Sequence, residues 1–261
     1  MILKLPIKIT IITVSKNSER FLAETIESVI NQTYKNIQYI IIDGKSNDHT
    51  VDIIKRYSSH IASWISEKDS GMYDAINKGL GLSTGDYILI LNSDDVLAAN
   101  DTISNIVEQI NIEKLDYYYG NMIKSKDGKY KKVKLFPVTF RELLLSTHGT
   151  FVQHPCFFIS SKLNNQLEGY DLKYRYASDY DYILRALSTK NIKGKHLNIF
   201  ITKFRIHEMS ITASGKIDSE RIEILKQHRY YQSPYLKRLY FYYKLWIYYK
   251  IINLGQAYKK A

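Results

Sequence analysis

Polar breaks punctuate the first hundred residues at regular intervals between short apolar runs. Lys8–Val14 reads KITIITV, a β-branched run too short for a helix and too apolar for a surface strand. After the break Ser15–Glu19 comes FLAETIESVI, where Phe21, Leu22, Ile26, Val29 and Ile30 recur at helical spacing. Ile37–Ile42 is a second apolar strand that stops at Asp43-Gly44, and Asp48-His49-Thr50 leads into a short helix, VDIIKRY. His60–Ser66 reads as a third strand, Met72–Leu82 as a helix, and Tyr87–Leu91 as a fourth strand ending at Asn92-Ser93-Asp94-Asp95. Alternating strand and helix predict a parallel sheet covered by helices on both faces. Ligands of such sheets bind beyond the carboxyl ends of the strands. Three of those ends carry polar groups here: Ser15–Asn17, Asp43 and Asn92–Asp95.

The second half is less regular. Asp116–Met122 and Tyr130–Phe136 flank Asp127-Gly128, a hairpin signal. Phe140–Leu145 predicts a short helix, Cys156–Ser160 a strand, Asp179–Leu187 a helix and Ile199–Arg205 a last strand. No repeat or low-complexity linker separates the halves, so one shared sheet is expected.

With 261 residues the chain can bury a core without metal or disulfide staples. A single cysteine, Cys156, excludes a disulfide framework and a cysteine zinc finger and fits a reducing compartment. It is read as a small core residue in preference to a reactive thiol. The N-terminal MILKLPIKITIITV is interrupted by Lys4, Pro6 and Lys8 and is read as the lead-in to the first strand, not a signal peptide. No run reaches the ~18 apolar residues of a spanning helix, so a soluble or membrane-peripheral protein is expected. The net charge of +11 is concentrated: Lys124–Lys134 carries +5 and residues 216–261 carry +7, leaving the body near neutral. The basic segments therefore need an explanation of their own.

Asn92–Asp95 closes an apolar strand with two adjacent carboxylates. It is either a turn leading to a helix near Asp101 or a site for a hard cation, which takes one or two carboxylates plus water and phosphate oxygens. Asp43–Asp48 is either a turn with a helix cap or a carboxylate offered to a nucleobase or ribose. Neither a G-x-G-x-x-G fingerprint nor a P-loop is present, which argues against dinucleotide and P-loop enzymes. Asp69 and Asp74 belong either to a solvated loop or to a donor site. His154 and His207 are either partly buried structural histidines or site groups, and Arg185 either anchors its helix or touches substrate.

The ordered series Thr13–Asn17, Ser28-Val29 with Gln32–Tyr34, Ile42–Thr50, Glu67–Gly79 and Leu91–Asp95 resembles family 2 glycosyltransferases. So do Gln153-His154-Pro155, Gly169-Tyr170-Asp171 and Ala177–Asp181 with Arg185, and the resemblance spans residues 8–212. It implies a GT-A fold, Rossmann-like, with a mostly parallel central sheet flanked by helices. It also implies a nucleotide-diphosphate sugar donor, commonly a UDP-sugar, a divalent Mn²⁺ or Mg²⁺, and inversion at the anomeric carbon. Carried over by residue, Asp43 would meet the base, with Val14, Asn17, Asp69, Asn77 and Ser93 among the donor contacts. Asp94 and Asp95 would lie at the metal with His207, and Asp179 would be the catalytic base. Asp74, His154, Asp181 and Arg185 would form the acceptor or secondary set. Two positions depart from the family pattern: Asn92 and Ser178 stand where an acid is frequent.

On this reading residues 1–212 form one domain, with a nucleotide-sugar half (1–100) and an acceptor half (101–212). Residues 213–261 form a basic helical tail rich in tyrosine. The tail either packs on the domain or lies on an anionic membrane, since Tyr and Trp favour headgroup depth. No nucleic-acid module is recognisable. The expected partners are the donor and a glycan or lipid-linked acceptor of surface-polysaccharide assembly (O-antigen, capsule or exopolysaccharide), on the cytoplasmic face of the membrane. The competing readings are a sugar nucleotidyltransferase, for which Ser15–Glu19 is a poor phosphate loop, and a non-catalytic nucleotide-binding or membrane scaffold.

Overall fold

A computed structural model describes residues 6–135, 137–139, 152–207 and 217–228, together with Tyr243 and Ile247. The helix expected at Phe140–Leu145 and most of the tail lie outside these residues. Among the described residues the strands are β1 (Ile9–Ser15), β2 (Ile37–Asp43), β3 (Ser63–Ser66), β4 (Tyr87–Ile90), β5 (Val96–Leu97), β6 (Tyr117–Lys126), β7 (Lys129–Val133), β8 (Phe157–Ser160) and β9 (Gly194–Arg205). The helices are α1 (Leu22–Ile30), α2 (Thr50–Arg56), α3 (Met72–Gly81), α4 (Thr102–Ile112), α5 (Ser161–Leu167), α6 (Ser178–Ser188) and α7 (Ile217–Gln227).

All nine strands join one sheet in the order β3-β2-β1-β4-β8-β6-β9-β5, with β7 paired to β6. The first four are parallel, as the alternation predicts. The second half is mixed: β8 runs antiparallel to both β4 and β6, while β9 is parallel to β6. Period-two alternation divides the apolar side chains between the faces. Ile9 and Ile11 of β1 pack with α1, α2 and α4, and Ile12 and Val14 pack with α3 and α6. Burying both faces explains why these strands are apolar throughout.

The hairpin signal is realised at Asp127 and Gly128, both with positive φ (49° and 72°), joining β6 to β7. Cys156 is fully buried, and burial pushes its thiol up to about 12, in keeping with a core residue. The third strand is shorter than expected because Ser58–His60 forms a 3-10 turn. Helix α7 falls within the segment read as the tail, yet its Ile224 and Leu225 are buried in the core beside α6.

Candidate active site

The register of the parallel strands aligns Ser15, Asp43 and Ser66 in one row at their carboxyl ends. Both hydroxyls reach the intervening carboxylate: Ser15 Oγ donates to Asp43 Oδ1 at 3.1 Å and Ser66 Oγ to Oδ2 at 2.6 Å. Ser46 adds its backbone N–H, at 3.0 Å from Oδ2, and its own hydroxyl. Asp43 is thus wholly buried and saturated with donors. A base reaches it only by displacing a serine hydroxyl.

The neighbouring loops interlock around this row. Asn17 has φ of 50°, its N–H donates to Ser46 Oγ at 2.8 Å, and its Oδ1 accepts from the Asn47 N–H at 2.9 Å. Ser18 and Ser93 share a hydroxyl hydrogen bond of 2.8 Å, tying the end of β1 to that of β4. Asp69 lies directly over Gly44, where any β-carbon would collide with its carboxylate, and accepts the Gly71 N–H at 3.1 Å. Asp74 accepts the Ser70 N–H at 2.9 Å, which holds its carboxyl below the usual carboxylate range. The Val14 side chain faces the core, leaving only its backbone toward the rim.

Beyond β4 the two adjacent aspartates point in different directions. Asp94 is partly exposed and its Oδ2 lies 2.8 Å from His207 Nε2, although 113 residues separate them. Asp95 is fully buried, its oxygens taken by the Arg205 N–H at 2.9 Å and Asn92 Nδ2 at 3.0 Å. Burial, with the Asp94 charge beside it, pushes the Asp95 carboxyl well above the usual range. The resemblance sets Asp95 at the metal; in the structure this carboxylate fastens β9 to the loop after β4. Arg205 also donates to the Asp94 carbonyl at 3.1 Å and lies over the Phe21 ring at 4.1 Å. Among the described residues the side-chain amide oxygen of Asn92, Oδ1, is buried without a partner.

On the acceptor side, the first turn of α6 presents Asp179, half-buried, to the start of α3. Tyr73 Oη donates to Asp179 Oδ1 at 3.0 Å. Burial and the Asp179 charge push the Tyr73 phenol far up, so it stays protonated as a donor. The rings of Tyr73, Tyr170 and Tyr182 form a continuous stack with centroid spacings of 5.5 and 4.2 Å, and His154 meets Tyr170 edge-on at 5.7 Å. His154 is buried, its Nε2 has no hydrogen-bond partner among the described residues, and burial pushes its pKa down.

Three expected site residues are engaged within the fold. Asn77 clamps the backbone of Tyr170, donating to its carbonyl at 2.8 Å and accepting its N–H at 2.7 Å. Asp181 is buried between Arg185 Nε at 2.7 Å and His228 Nε2 at 3.1 Å. Arg185 also donates to the carbonyls of Leu167 and Gly169, at 2.6 and 2.8 Å, which with the Asp181 ion pair matches the anchoring alternative.

Tyr73, Ser46, Ser66 and Glu220 were absent from the sequence expectations. Glu220 of α7 accepts three consecutive backbone N–H groups, those of Arg175, Tyr176 and Ala177, at 2.7–2.9 Å. These precede α6, whose N-cap residue Ala177 has no side-chain cap of its own. The carboxylate therefore caps the helix that carries Asp179 from a different part of the chain.

The glycosyl transferase family 2 model matches residues 10–167. The chain is 32% identical over 180 residues to the uncharacterized glycosyltransferase Rv1514c of Mycobacterium tuberculosis, covering 68% of each. Over 208 residues it is 29% identical to the Escherichia coli UDP-Glc:alpha-D-GlcNAc-diphosphoundecaprenol beta-1,3-glucosyltransferase WfaP, covering 79% of this chain and 80% of that one. Its fold is similar to that of Staphylococcus aureus TarS 1-349 in complex with UDP-GlcNAc, with a TM-score of 0.69 at 18% identity, over 84% of this chain and 65% of that one. It is likewise similar to the mannosyltransferase PcManGT from Pyrobaculum calidifontis in complex with GDP-Man and Mn²⁺, with a TM-score of 0.66 at 14% identity, over 88% of this chain and 66% of that one. The chain thus spans just under two thirds of each of these two structures.

Proposed function

The chain belongs to glycosyl transferase family 2, and from that premise we propose that it transfers a sugar, with inversion, from a UDP-sugar to a hydroxyl of a lipid-linked glycan in surface-polysaccharide assembly. The observation that carries this reading is the Asp94–His207 contact at the end of β4, on the same sheet edge as Asp43 and Asp179. WfaP is a glucosyltransferase from UDP-Glc to GlcNAc-diphosphoundecaprenol, and UDP-GlcNAc is the ligand of the TarS complex.

Asp94 and His207 suit Mg²⁺ or Mn²⁺. Both are partly exposed, and a hard cation that uses few protein ligands fills its other positions with water and diphosphate oxygens. When bound, such an ion offsets the negative charge gathering on the departing diphosphate. The chain's own residues handle the proton. As the acceptor oxygen bonds to the anomeric carbon and the bond to the diphosphate breaks, the hydroxyl proton passes to Asp179. Tyr73 occupies Oδ1, leaving Oδ2 to receive it. Asp43 meets the base once one of its three serine hydroxyls gives way, and the Tyr73–Tyr170–Tyr182 stack with His154 lines the acceptor side.

The protein works at the cytoplasmic face of the membrane, held there peripherally through its basic segments. Among the described residues no helix is long and apolar enough to cross a membrane. The test is Asp179→Asn. UDP affinity by calorimetry stays near normal while turnover falls ~100-fold or more, and the unmodified chain yields product of inverted configuration by NMR. An active Asn variant, or a retained configuration, overturns the mechanism.

A further inference from the structure

The lysine hairpin β6–β7 takes no part in this chemistry. Its register sets Lys124 opposite Lys131 and Lys126 opposite Lys129. Directly opposed residues share a face, as do residues two apart, so four ammonium groups crowd one face of the ribbon. Like charges opposite each other destabilise a strand pair. No carboxylate relieves them: among the described residues the lysine ion pairs involve Lys78, Lys114 and Lys173 instead. Tyr130, between them in sequence, is 69% exposed.

The hairpin also has a defined position. Strands β4 and β6 both run antiparallel to β8, so the turn of the hairpin lies beyond the same sheet edge as the ends of β1–β4. Leu89 is level with Phe158 and Tyr119 with Phe157. Residues 120–126 therefore project about 20 Å past the end of β4, at roughly 3.3 Å per residue. The projection is fastened to the site, because the Ile206 N–H donates to the Ser125 carbonyl at 2.8 Å and the next residue, His207, contacts Asp94.

We propose that this face docks on an anionic phospholipid bilayer and turns the open edge of the site toward the membrane that carries the acceptor. The proposal rests on the reading of a membrane-borne acceptor. Run 124–134 has six lysines and no arginine. Compact ammonium groups suit a diffuse anionic surface, whereas recognition of a discrete phosphate or nucleic acid favours the bidentate fork of arginine.

The experiment is co-sedimentation of the full chain with phosphatidylglycerol-containing vesicles and with phosphatidylcholine vesicles. Binding is expected to the first alone and to weaken with salt. Each lysine near an anionic surface contributes about fivefold to partitioning. The quadruple variant Lys124→Gln, Lys126→Gln, Lys129→Gln, Lys131→Gln should lose ~100-fold or more, and the quadruple Arg variant should bind normally. Relief of like-charge repulsion should leave the melting temperature of the Gln variant unchanged or higher. Should it fail to fold, the tip pair Lys126→Gln, Lys129→Gln should still lose ~20-fold. Unimpaired vesicle binding by the Gln variants overturns the proposal and assigns attachment to the tail. Binding of the unmodified chain to soluble polyphosphate but not to vesicles overturns it in favour of a polyanionic partner. Donor hydrolysis in solution, which the hairpin variants should retain, separately tests the glycosyltransferase reading.

Discussion

Asp179 and Asp181 stand two residues apart on α6, and Asp181→Asn separates their functions. The Asp181 carboxylate is 1% exposed, with Arg185 on one oxygen and His228 on the other. Removing one member of a buried charged pair costs ~3–5 kcal/mol. Asn keeps the volume and one acceptor, and the Arg185 side chain is 25% exposed and retains its two carbonyl partners, so ~2–3 kcal/mol is expected here. For a chain of this size that lowers Tm by roughly 4–12 °C. Burial alone would raise the Asp181 carboxyl, but the hydrogen bonds and charges of His228 and Arg185 outweigh it and hold the group below its ordinary value. A depressed folded pKa stabilises the fold fully above the ordinary carboxylate range, and the contribution fades as pH falls through the folded value. Urea unfolding should therefore show the full gap between parent and variant at pH 7 and a closing gap on the acid side. Asp179→Asn, at a half-buried position with a single phenolic partner, should leave stability within ~0.5 kcal/mol. A gap for Asp181→Asn below ~1 kcal/mol at neutral pH, or one unchanged in acid, would refute the structural assignment of this carboxylate.

Gly169 has φ of 84°, and a β-carbon there would lie 2.6 Å from Asn77 Oδ1. Gly169→Ala should destabilise by ~2–3 kcal/mol and raise the acceptor KM by loosening the clamp on Tyr170. A variant with the parent's melting curve contradicts this. Asp94→Asn should abolish metal-dependent turnover and weaken UDP binding, read by calorimetry and donor hydrolysis. Undiminished activity in excess EDTA removes the metal from the site.

The elements legible in the sequence were those whose signal is local. Strands β1, β2 and β4 are apolar because both faces are covered, and their polar ends mark the site edge before any fold is known. The elements missed carry too little periodicity. Helix α5 offers Leu163 and Leu167 as its buried apolar residues, and β5 is two residues long. At the site, residue type singled out Asp43 and Asp94, and the family resemblance singled out His207 and Asp179, but orientation followed from neither. Asp95 turns inward to an N–H 110 positions away, and Asn77 is captured by a backbone 93 positions away. Such partners leave no trace in local spacing.

The reach of Glu220 across to Arg175–Ala177 bears on how the molecule is built in time. A ribosome releases β2 with Asp43, and the turn after β4 with Asp94, long before α7, and domains acquire structure from the N-terminus onward. The three amide donors ahead of α6 stay uncapped until residue 220 has emerged and swung back. The row of donors around Asp43 is thus complete before the helix that carries Asp179 receives its cap, which makes that cap one of the late contacts of synthesis.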